Sequence, residues 1–181
     1  MNQSGNKAGH STETSVIKTT DEILYAMDQK KLSTIILLDM SKAFDSISHK
    51  ILLAKLQDVG ASHSTIQWFR SYLNERRQVV KITSAVSEPL SLVSGVPQGS
   101  ILGLLLFNIY TNDLSTAPKK CSIDCYVDDT KLLLTFSLNE KQSAVEDVNE
   151  DLTFVRNWCF DNYLLMNPTK TKLMVFEDRR F

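Results

Sequence analysis

The stretch Tyr126-Val127-Asp128-Asp129 places two adjacent carboxylates after a hydrophobic approach. A lone carboxylate, Asp39, ends an apolar run far upstream. Two distant strands that each end in aspartate can meet at one edge of a folded sheet, where their oxygens suit hard divalent cations such as Mg²⁺. Two such ions, about 3.5–4 Å apart, promote in-line phosphoryl displacement. Together these features predict a metal-dependent site for nucleotidyl transfer.

Each feature alone also has an ordinary structural explanation. Aspartate is common in turns and caps, so Asp39 taken alone is better explained as a helix or turn cap, and the same holds for the Asp128–Asp129 pair as turn residues. The pair is flanked by Val127 and Thr130, however, and not by the glycine or asparagine that is typical of turns. Adjacent like charges repel unless a cation neutralises them. The occurrence of both features in one chain therefore favours a metal site.

The composition is that of an ordinary globular domain. The chain has 181 residues, of which 43% are hydrophobic and 23% charged, with a net charge of -1. This charge lacks the basic surplus of a typical nucleic-acid binder, so contact with a polynucleotide would need metal ions or further chain segments. Cys121, Cys125 and Cys159 form neither a disulfide framework nor a zinc motif. With no signal peptide and no transmembrane run, we expect an intracellular protein of nucleus and cytoplasm.

Hydrophobic periodicity predicts an α+β fold with one mostly antiparallel sheet and helices packed on one face. Residues 1–12 are predicted to be a polar tail. The segment 101–110 is apolar nearly all round, which predicts a helix buried on most faces. Predicted helices cover residues 13–30, 48–60 with Ser48 as N-cap, 64–75, 101–110 and 139–163, the last ended by Asn167-Pro168. Predicted strands cover residues 33–38, 121–126, 131–136 and 173–176, with a hairpin over 78–93 that turns at 84–89 and another turn at 127–130.

Four segments follow one another in a distinctive order. They are residues 38–49 (LDMSKAFDSISH), residues 94–103 (SGVPQGSILG) continued by 105–114 (LLFNIYTNDL), residues 126–130 (YVDDT), and residues 157–158 with 167–172 (NPTKTK). In order and spacing they resemble the catalytic motifs of reverse transcriptases from non-long-terminal-repeat (LINE-type) retrotransposons, and residues 9–12 (GHST) resemble a stretch just before the first motif. The chain departs from the family pattern at Val127, usually a smaller residue, and at Gly103-Leu104, usually Gly-Pro.

The resemblance implies an RNA-directed DNA polymerase, a transferase that joins deoxynucleoside triphosphates to a DNA primer on an RNA template. It implies that Asp39, Asp128 and Asp129 hold two Mg²⁺ ions, with Mn²⁺ as a substitute. It assigns Lys170 to protonation of the leaving pyrophosphate. The residues that it implies for substrate contact are Phe44, Pro97, Gln98, Gly99 and Tyr126.

Three of these residue assignments have structural alternatives. Phe44 either crowds the sugar 2′ position and selects deoxynucleotides or is a core aromatic. Lys170 either donates a proton or is a solvated lysine, and Lys172 is equally near in sequence. Arg76 and Arg77 either contact a phosphate or end a helix in solvent.

The resemblance also implies which regions are present. Residues 13–181 match the palm domain of such a polymerase, with a remnant of the fingers at 13–32 and no thumb. We therefore expect weak or no activity from these 181 residues alone. The alternative is a catalytically inactive, truncated retrotransposon remnant. A non-enzymatic RNA-binding module is disfavoured, because its strands should carry aromatic residues for base stacking and the predicted strands here are aliphatic.

Overall fold

The computed structural model describes residues 11–177. These residues form two compact units: unit 1 comprises residues 11–43 and 111–177, and unit 2 comprises residues 44–110. The helices are α1 (Thr12–Asp28), α2 (His49–Asp58), α3 (His63–Leu73), α4 (Ile101–Thr111) and α5 (Lys141–Asp161), with 3₁₀ turns at Asn112–Thr116 and Leu138–Glu140. The strands are β1 (Leu32–Leu38), β2 (Met40–Ser41), β3 (Arg77–Gln78), β4 (Lys81–Ile82), β5 (Ala85–Val86), β6 (Leu90–Ser91), β7 (Ser122–Tyr126), β8 (Asp129–Phe136), β9 (Leu165–Met166) and β10 (Lys172–Phe176).

Unit 1 is built on an antiparallel sheet of four strands in the order β10-β1-β8-β7. Its first helix, α1, packs on one face through a small core of Ile23, Ile35 and Leu133. The same face carries a buried polar cluster, in which Ser15 of α1 donates to Asp124 Oδ2 at 2.8 Å and Lys131 Nζ lies 3.2 Å from that oxygen. Hydrophobic and polar contacts together therefore attach α1 to the sheet.

The long helix α5 covers the opposite face of this sheet. Side chains alternate between faces along a strand, so Thr34 and Val175, which are register partners, lie opposite to Ile35. Ala144 and Val148 of α5 line a common cleft with these two residues. The prediction that the helices pack on one face of the sheet is therefore wrong. The apolar stripe of a helix shows that the helix is packed, but it does not show which face of the sheet the helix packs against.

Strand β10 forms one edge of the four-stranded sheet. Leu173, Met174 and Val175 remain 59%, 40% and 53% exposed although they are apolar. A separate two-stranded ladder joins β2 to β9, with Met40 opposite Met166. This ladder holds the chain that follows β1 to the chain that follows α5.

A buried carboxylate secures the chain that enters β7. Asp151 of α5 has no solvent-exposed surface, and its oxygens accept the backbone N–H groups of Lys119, Lys120 and Cys121 at 2.7, 2.8 and 2.6 Å. Burial raises the pKa of Asp151, but these backbone hydrogen bonds outweigh it and leave the pKa below its ordinary value. The sequence analysis did not identify this residue, because an isolated aspartate in a helix gives no signal of burial.

Unit 2 contains two capped helices and a short-stranded hairpin. The side chains of Ser48 and Ser62 accept backbone N–H groups at the starts of α2 and α3, as predicted for Ser48. The predicted hairpin is present, with β3 paired to β6 and β4 to β5. Its tip lies at Thr83-Ser84 and not at residues 84–89, and Thr83 has a φ of 53°.

Helix α4 is buried on most faces, as predicted: Leu106, Phe107 and Tyr110 are fully buried, and of its residues only Ile101 and Leu105 are exposed. Two other expectations are corrected. Helix α5 ends at Asp161, well before Asn167-Pro168. The tail is shorter than residues 1–12, because Ser11 caps α1 and Thr12 begins it, whereas residues 1–10 lie outside the described part of the chain.

Cys121, Cys125 and Cys159 are free and buried, which confirms that they form no disulfide. Between residues 11 and 177, none of the helices combines the length and the apolar character that crossing a membrane requires.

Candidate active site

The three predicted catalytic aspartates lie at one end of the four-stranded sheet in unit 1. Leu38, the last residue of β1, pairs with Thr130 of β8. Asp39 and Asp129 are the next residues along this antiparallel register, so they lie side by side. Asp128 is in the turn that directly precedes Asp129. One end of a single sheet therefore brings Asp39 together with the adjacent pair Asp128 and Asp129, which is remote from it in sequence.

The turn that carries Asp128 is tighter than predicted. Tyr126 already pairs with Asp129, so only Val127 and Asp128 connect β7 to β8. Val127 has a φ of 58°, in the left-handed region that a β-branched residue rarely adopts. Such a conformation costs of order 1–3 kcal/mol and persists only where the surrounding structure holds it. The paired strands thus hold Asp128 in one orientation at some cost in backbone strain.

The three carboxylates interact electrostatically. Partial burial raises the pKa of Asp129, and the negative charges of Asp128 and Asp39 raise it further. A bound cation would reverse these effects, because it stabilises the ionised form of each carboxylate. The site therefore carries a negative charge that a divalent cation can neutralise.

The oxygen donors suit a hard divalent cation, but the protein does not enclose one alone. Among residues 11–177 no group of three or more His, Cys, Asp or Glu side chains is arranged to hold a metal ion. Mg²⁺ is usually held by one or two carboxylates together with substrate phosphates and water, and less often by an all-protein cage. Asp39, Asp128 and Asp129 fit that mode of binding in their chemistry, with substrate oxygens completing the coordination.

Asp129→Asn is expected to raise the Tm by about 2 °C near pH 7 in the absence of divalent cations. A carboxylate with a raised folded-state pKa loses stability as pH rises from its unfolded pKa through its folded pKa, so the neutral amide removes this cost above that window and changes nothing below it. The gain is small because Asp129 is exposed and water screens its charge. Differential scanning calorimetry at two pH values measures it.

The same experiment with added Mg²⁺ or Mn²⁺ tests the cation site. Either ion should raise the Tm of the wild-type chain more than that of Asp129→Asn. Asp161→Asn removes an exposed carboxylate at the end of α5 and provides the matched control. A drop in the metal-free Tm of Asp129→Asn would contradict the proposed repulsion.

The loop after β9 brings Lys170 to Asp39. Lys170 Nζ lies 3.6 Å from Asp39 Oδ1, and the backbone N–H of Asn167 donates to the Asp39 carbonyl oxygen at 2.8 Å. Lys172 instead lies in β10, opposite Leu37. The structure therefore separates two lysines that the sequence left equivalent. The sequence analysis did not identify the role of the Asn167 backbone, although an Asn-Pro pair is typical of a turn.

Of the predicted substrate contacts, Tyr126 ends β7 in unit 1, and the other four lie in unit 2. Phe44 is half-buried and stacks on Phe107 with ring centroids 4.5 Å apart. Its carbonyl oxygen accepts the N–H of Val96 at 3.0 Å, so the start of the Pro97-Gln98-Gly99 loop is fixed to the turn that contains Phe44. Gln98 and Gly99 are exposed. The packing of Phe44 bears out part of its core alternative, and its role in sugar selection stays a prediction.

A close backbone approach fixes the exit of this loop. A Cβ on Gly103 would lie 2.3 Å from the Pro97 carbonyl oxygen, so a larger residue would displace the backbone. Ser100 Oγ donates to that same oxygen at 2.8 Å and accepts the N–H of Gly103 at 2.9 Å. The loop therefore folds tightly over the first turn of α4, which explains the glycine at this position.

Comparison with known proteins identifies the family. The family model described as "Reverse transcriptase (RNA-dependent DNA polymerase)" matches residues 1–180. The chain belongs to this family. Its similarity to polymerases of mobile elements confirms the predicted relation to the reverse transcriptases of non-long-terminal-repeat retrotransposons.

Two relatives from Drosophila melanogaster illustrate the similarity. The "Probable RNA-directed DNA polymerase from transposon BS" is 36% identical over 177 residues, which cover 93% of this chain and 19% of that protein. The "RNA-directed DNA polymerase from mobile element jockey" is 26% identical over 184 residues, which cover 98% of this chain and 20% of that protein. The chain thus spans about a fifth of the length of these relatives.

Solved structures support the fold. Telomerase from Candida albicans, in a complex with a fragment of telomeric RNA, matches with a TM-score of 0.64 and 15% identity over 95% of this chain and 31% of that one. Apo telomerase from Candida tropicalis without its C-terminal domain also gives a TM-score of 0.64, over 98% of this chain and 37% of that one. At these identities the similarity concerns the mixed fold of helices and antiparallel sheet.

Proposed function

We propose that this chain is the catalytic part of an RNA-directed DNA polymerase, which adds deoxynucleoside triphosphates to a primer 3′-hydroxyl on an RNA template. The observation that carries the proposal is the convergence of Asp39, Asp128 and Asp129 at one sheet end, where partial burial and then the charges of the other two raise the pKa of Asp129. Membership of the reverse transcriptase family supplies the reaction class. Acidic residues that perturb one another electrostatically are characteristic of functional sites.

The three aspartates would hold two divalent cations, Mg²⁺ with Mn²⁺ as a substitute. When bound, such ions make the primer hydroxyl more acidic and offset negative charge on the triphosphate. Asp39 would bind its cation from the end of a rigid strand, whereas the strained two-residue turn would present Asp128. Carboxylates held by paired strands lose little conformational freedom when they bind a cation. Such a pre-positioned site favours binding of a cation that arrives together with the substrate.

Lys170 would act as the proton donor to the departing pyrophosphate. Its ammonium group is 3.6 Å from Asp39 Oδ1, and this short distance to a proposed cation ligand supports the assignment. Both partners are partly exposed, so the pair contributes little stability and is easily rearranged. Because Asp39 is also a proposed cation ligand, Lys170 would hold its proton at Nζ beside the site and donate it to the leaving group from there.

Phe44, Pro97, Gln98, Gly99 and Tyr126 remain the proposed contacts to substrate. The stacking of Phe44 on Phe107 restricts its ring to one orientation, as selection against a 2′-hydroxyl would require. The left-handed φ of 81° at Gly99 and its exposure leave the backbone of this loop accessible to a ligand.

Lys170→Leu is expected to lower the rate of nucleotide incorporation by about 10- to 100-fold, because general acid catalysis contributes factors of this size or larger. Lys172→Leu, two residues away but in β10, is the matched control and should stay near the wild-type rate. Single-turnover incorporation over a range of pH measures the effect, since loss of a proton donor alters the pH profile of the rate and a merely structural change does not. An equal loss of incorporation rate in both variants would show that Lys170 is not the proton donor.

Primer extension tests the proposed function itself. An oligothymidylate primer on a polyadenylate RNA template, with Mg²⁺ and deoxythymidine triphosphate, should give incorporation above the level of the Asp128→Asn variant. Because the chain spans about a fifth of its relatives, the assay compares these 181 residues with a polypeptide extended at both ends by the flanking reading frame. If neither polypeptide incorporates nucleotides, polymerase activity is refuted, and the alternative of a catalytically inactive, truncated remnant is favoured.

A further inference from the structure

The side chains at positions 68, 72 and 76 form a stacked series that runs along α3 in unit 2 and past its C-terminal end, and we call this series the α3 ladder. The rings of Trp68 and Tyr72 are nearly parallel, with an interplanar angle of 8° and centroids 5.5 Å apart. The guanidinium carbon of Arg76 lies 5.1 Å from the Tyr72 ring centroid, and its Nη1 donates to the Tyr72 carbonyl oxygen at 3.4 Å. The spacing of four residues aligns Trp68 and Tyr72 along one side of the helix, and Arg76 reaches Tyr72 from the turn that follows the end of α3 at Leu73.

Two members of the ladder, Trp68 and Arg76, are exposed, and Tyr72 between them is half-buried. Trp68 is 54% exposed, whereas Phe69 and Leu73 on the adjoining stripe of α3 are 8% and 2% exposed and form the packed side of the helix. The edge of Trp68 rests against Phe69 at an angle of 84°, which fixes the orientation of the indole. Ser64, four residues earlier, is short and exposed, so it leaves the indole face that points away from Tyr72 largely uncovered.

A polar cleft of about 700 Å³ begins where the ladder ends. It is lined by Arg76 and Arg77 at one side and by Gln98 of the Pro97-Gln98-Gly99 loop, with His49 and Asp45 also contributing. In the described residues no carboxylate forms a salt bridge with either arginine. Unit 2 contains six Lys or Arg and four Asp or Glu side chains, so it is net positive although the whole chain is not.

We propose that the α3 ladder and this cleft bind a single strand of nucleic acid. A base stacks on the face of Trp68 that points away from Tyr72, and the phosphates pair with Arg76 and Arg77 as the strand runs toward Gln98. This inference rests on the proposed polymerase function and makes the strand the template ahead of the copied position. Aromatic faces combined with a positive groove are the usual means of holding single-stranded nucleic acid.

Charge and shape favour a nucleic acid over a protein partner. An exposed Trp, Tyr and Arg also suit the centre of a protein interface. At the end of this ladder, however, the surface is concave and polar and carries two arginines that no carboxylate of residues 11–177 neutralises. A nucleic acid carries a negative phosphate at every nucleotide and so can pair with both arginines of the cleft. A protein partner would need acidic side chains at two matching positions.

Fluorescence of Trp68 gives a direct measurement of binding. The chain contains two tryptophans, so Trp158→Phe leaves Trp68 as the single reporter. Titration with an unlabelled oligouridylate of about 12 nucleotides should quench Trp68 emission as bases stack on the indole. The Asp128→Asn variant should give the same titration, because it affects the proposed chemistry and not this surface. A failure of catalysis is thereby distinguishable from a failure of strand binding.

Variants measure how much the ladder contributes. In fluorescence anisotropy with a labelled oligouridylate, Trp68→Ala should weaken binding by about 10-fold. Arg76→Ala should weaken it and reduce the slope of log affinity against log salt by about one. Phe160→Ala, which removes a 74% exposed aromatic from α5 in unit 1, is the matched control and should bind as wild type. An oligothymidylate of equal length shows whether the 2′-hydroxyl matters, and a blunt duplex should bind less tightly.

Two results would overturn the proposal. One is an unchanged Trp68 emission at saturating RNA together with wild-type affinity of Trp68→Ala. The other is that Trp68→Ala alters the self-association of the chain in sedimentation velocity while its RNA affinity is unchanged, which would make the ladder a protein contact.

Discussion

Asp128→Asn is expected to reduce nucleotide incorporation by about 1,000-fold or more, equivalent to about 4 kcal/mol of transition-state stabilisation. The amide is the same size as the carboxylate but lacks the negative charge that the proposed cation binding needs. Asp128 is exposed in a two-residue turn, so the substitution should leave the fold and its Tm nearly unchanged. Primer extension with purified variants of matched Tm measures the loss.

The control for this experiment is a carboxylate of similar exposure away from the sheet end. Asp161→Asn at the end of α5 should retain the wild-type rate. Asp39→Asn should match the loss of Asp128→Asn, because both residues are proposed to serve one site, and the double variant should lose little more than either single variant. Retention of more than about a tenth of the wild-type rate by Asp128→Asn would exclude this residue from catalysis.

Asp151→Asn is expected to cost about 3 kcal/mol of unfolding free energy, the second large effect. The carboxylate is fully buried and accepts three backbone N–H groups, whereas the amide offers one acceptor and places its own N–H₂ group against the remaining donors. For a chain of this length such a loss lowers the Tm by about 6–12 °C. Urea denaturation and calorimetry measure the change.

The difference in unfolding free energy between wild type and Asp151→Asn should also depend on pH. The pKa of Asp151 is lowered in the folded state, so its stabilisation is complete above the unfolded pKa and disappears as pH falls through the folded pKa. The difference between wild type and Asp151→Asn should therefore shrink in acid. Asp147→Asn, one turn earlier on α5 and in a 3.7 Å contact with Lys120, is the control and should cost less than about 1 kcal/mol.

The thiol beside Asp151 gives an independent readout. Burial, together with the hydrogen bond and charge of Asp151, raises the pKa of Cys121 to about 12, so the native chain should resist alkylation there. Asp151→Asn should speed the labelling of Cys121 through more frequent local opening. If Asp151→Asn unfolds with the wild-type free energy and Cys121 is alkylated at the wild-type rate, the three hydrogen bonds make no net contribution to stability.

The sequence predicted the sheet end well, because strands of β-branched and aliphatic residues that terminate in aspartate have few ways to pair. It failed where the outcome depended on contacts between distant elements. The alternating polar positions Asp124 and Lys131 suggest a solvent face, yet Ser15 and Thr19 of α1 cover them and hydrogen-bond to them. Periodicity records which side chains share a face but carries no information about which helix covers that face.

The turn at Asp128 was predicted, but it is shorter than the predicted span of residues 127–130. Residues 127–130 read as a loop because two acids and a threonine are polar, whereas Asp129 and Thr130 in fact belong to β8. Cross-strand pairing with Tyr126 and Leu38 overrides the local preference of these residues. The approach of Lys170 to Asp39 likewise depends on the β2–β9 ladder, whose strands are too short to give a periodic signal.

The edge strand β10 has a practical consequence for handling this chain. Its outer backbone hydrogen-bonding groups and the exposed Leu173, Met174 and Val175 offer a ready template on which a strand from another molecule can dock. Concentrated preparations should therefore tend to aggregate through intermolecular sheet extension. A charged residue at position 175 would act as a gatekeeper and improve solubility, since a lysine on an edge strand discourages such pairing.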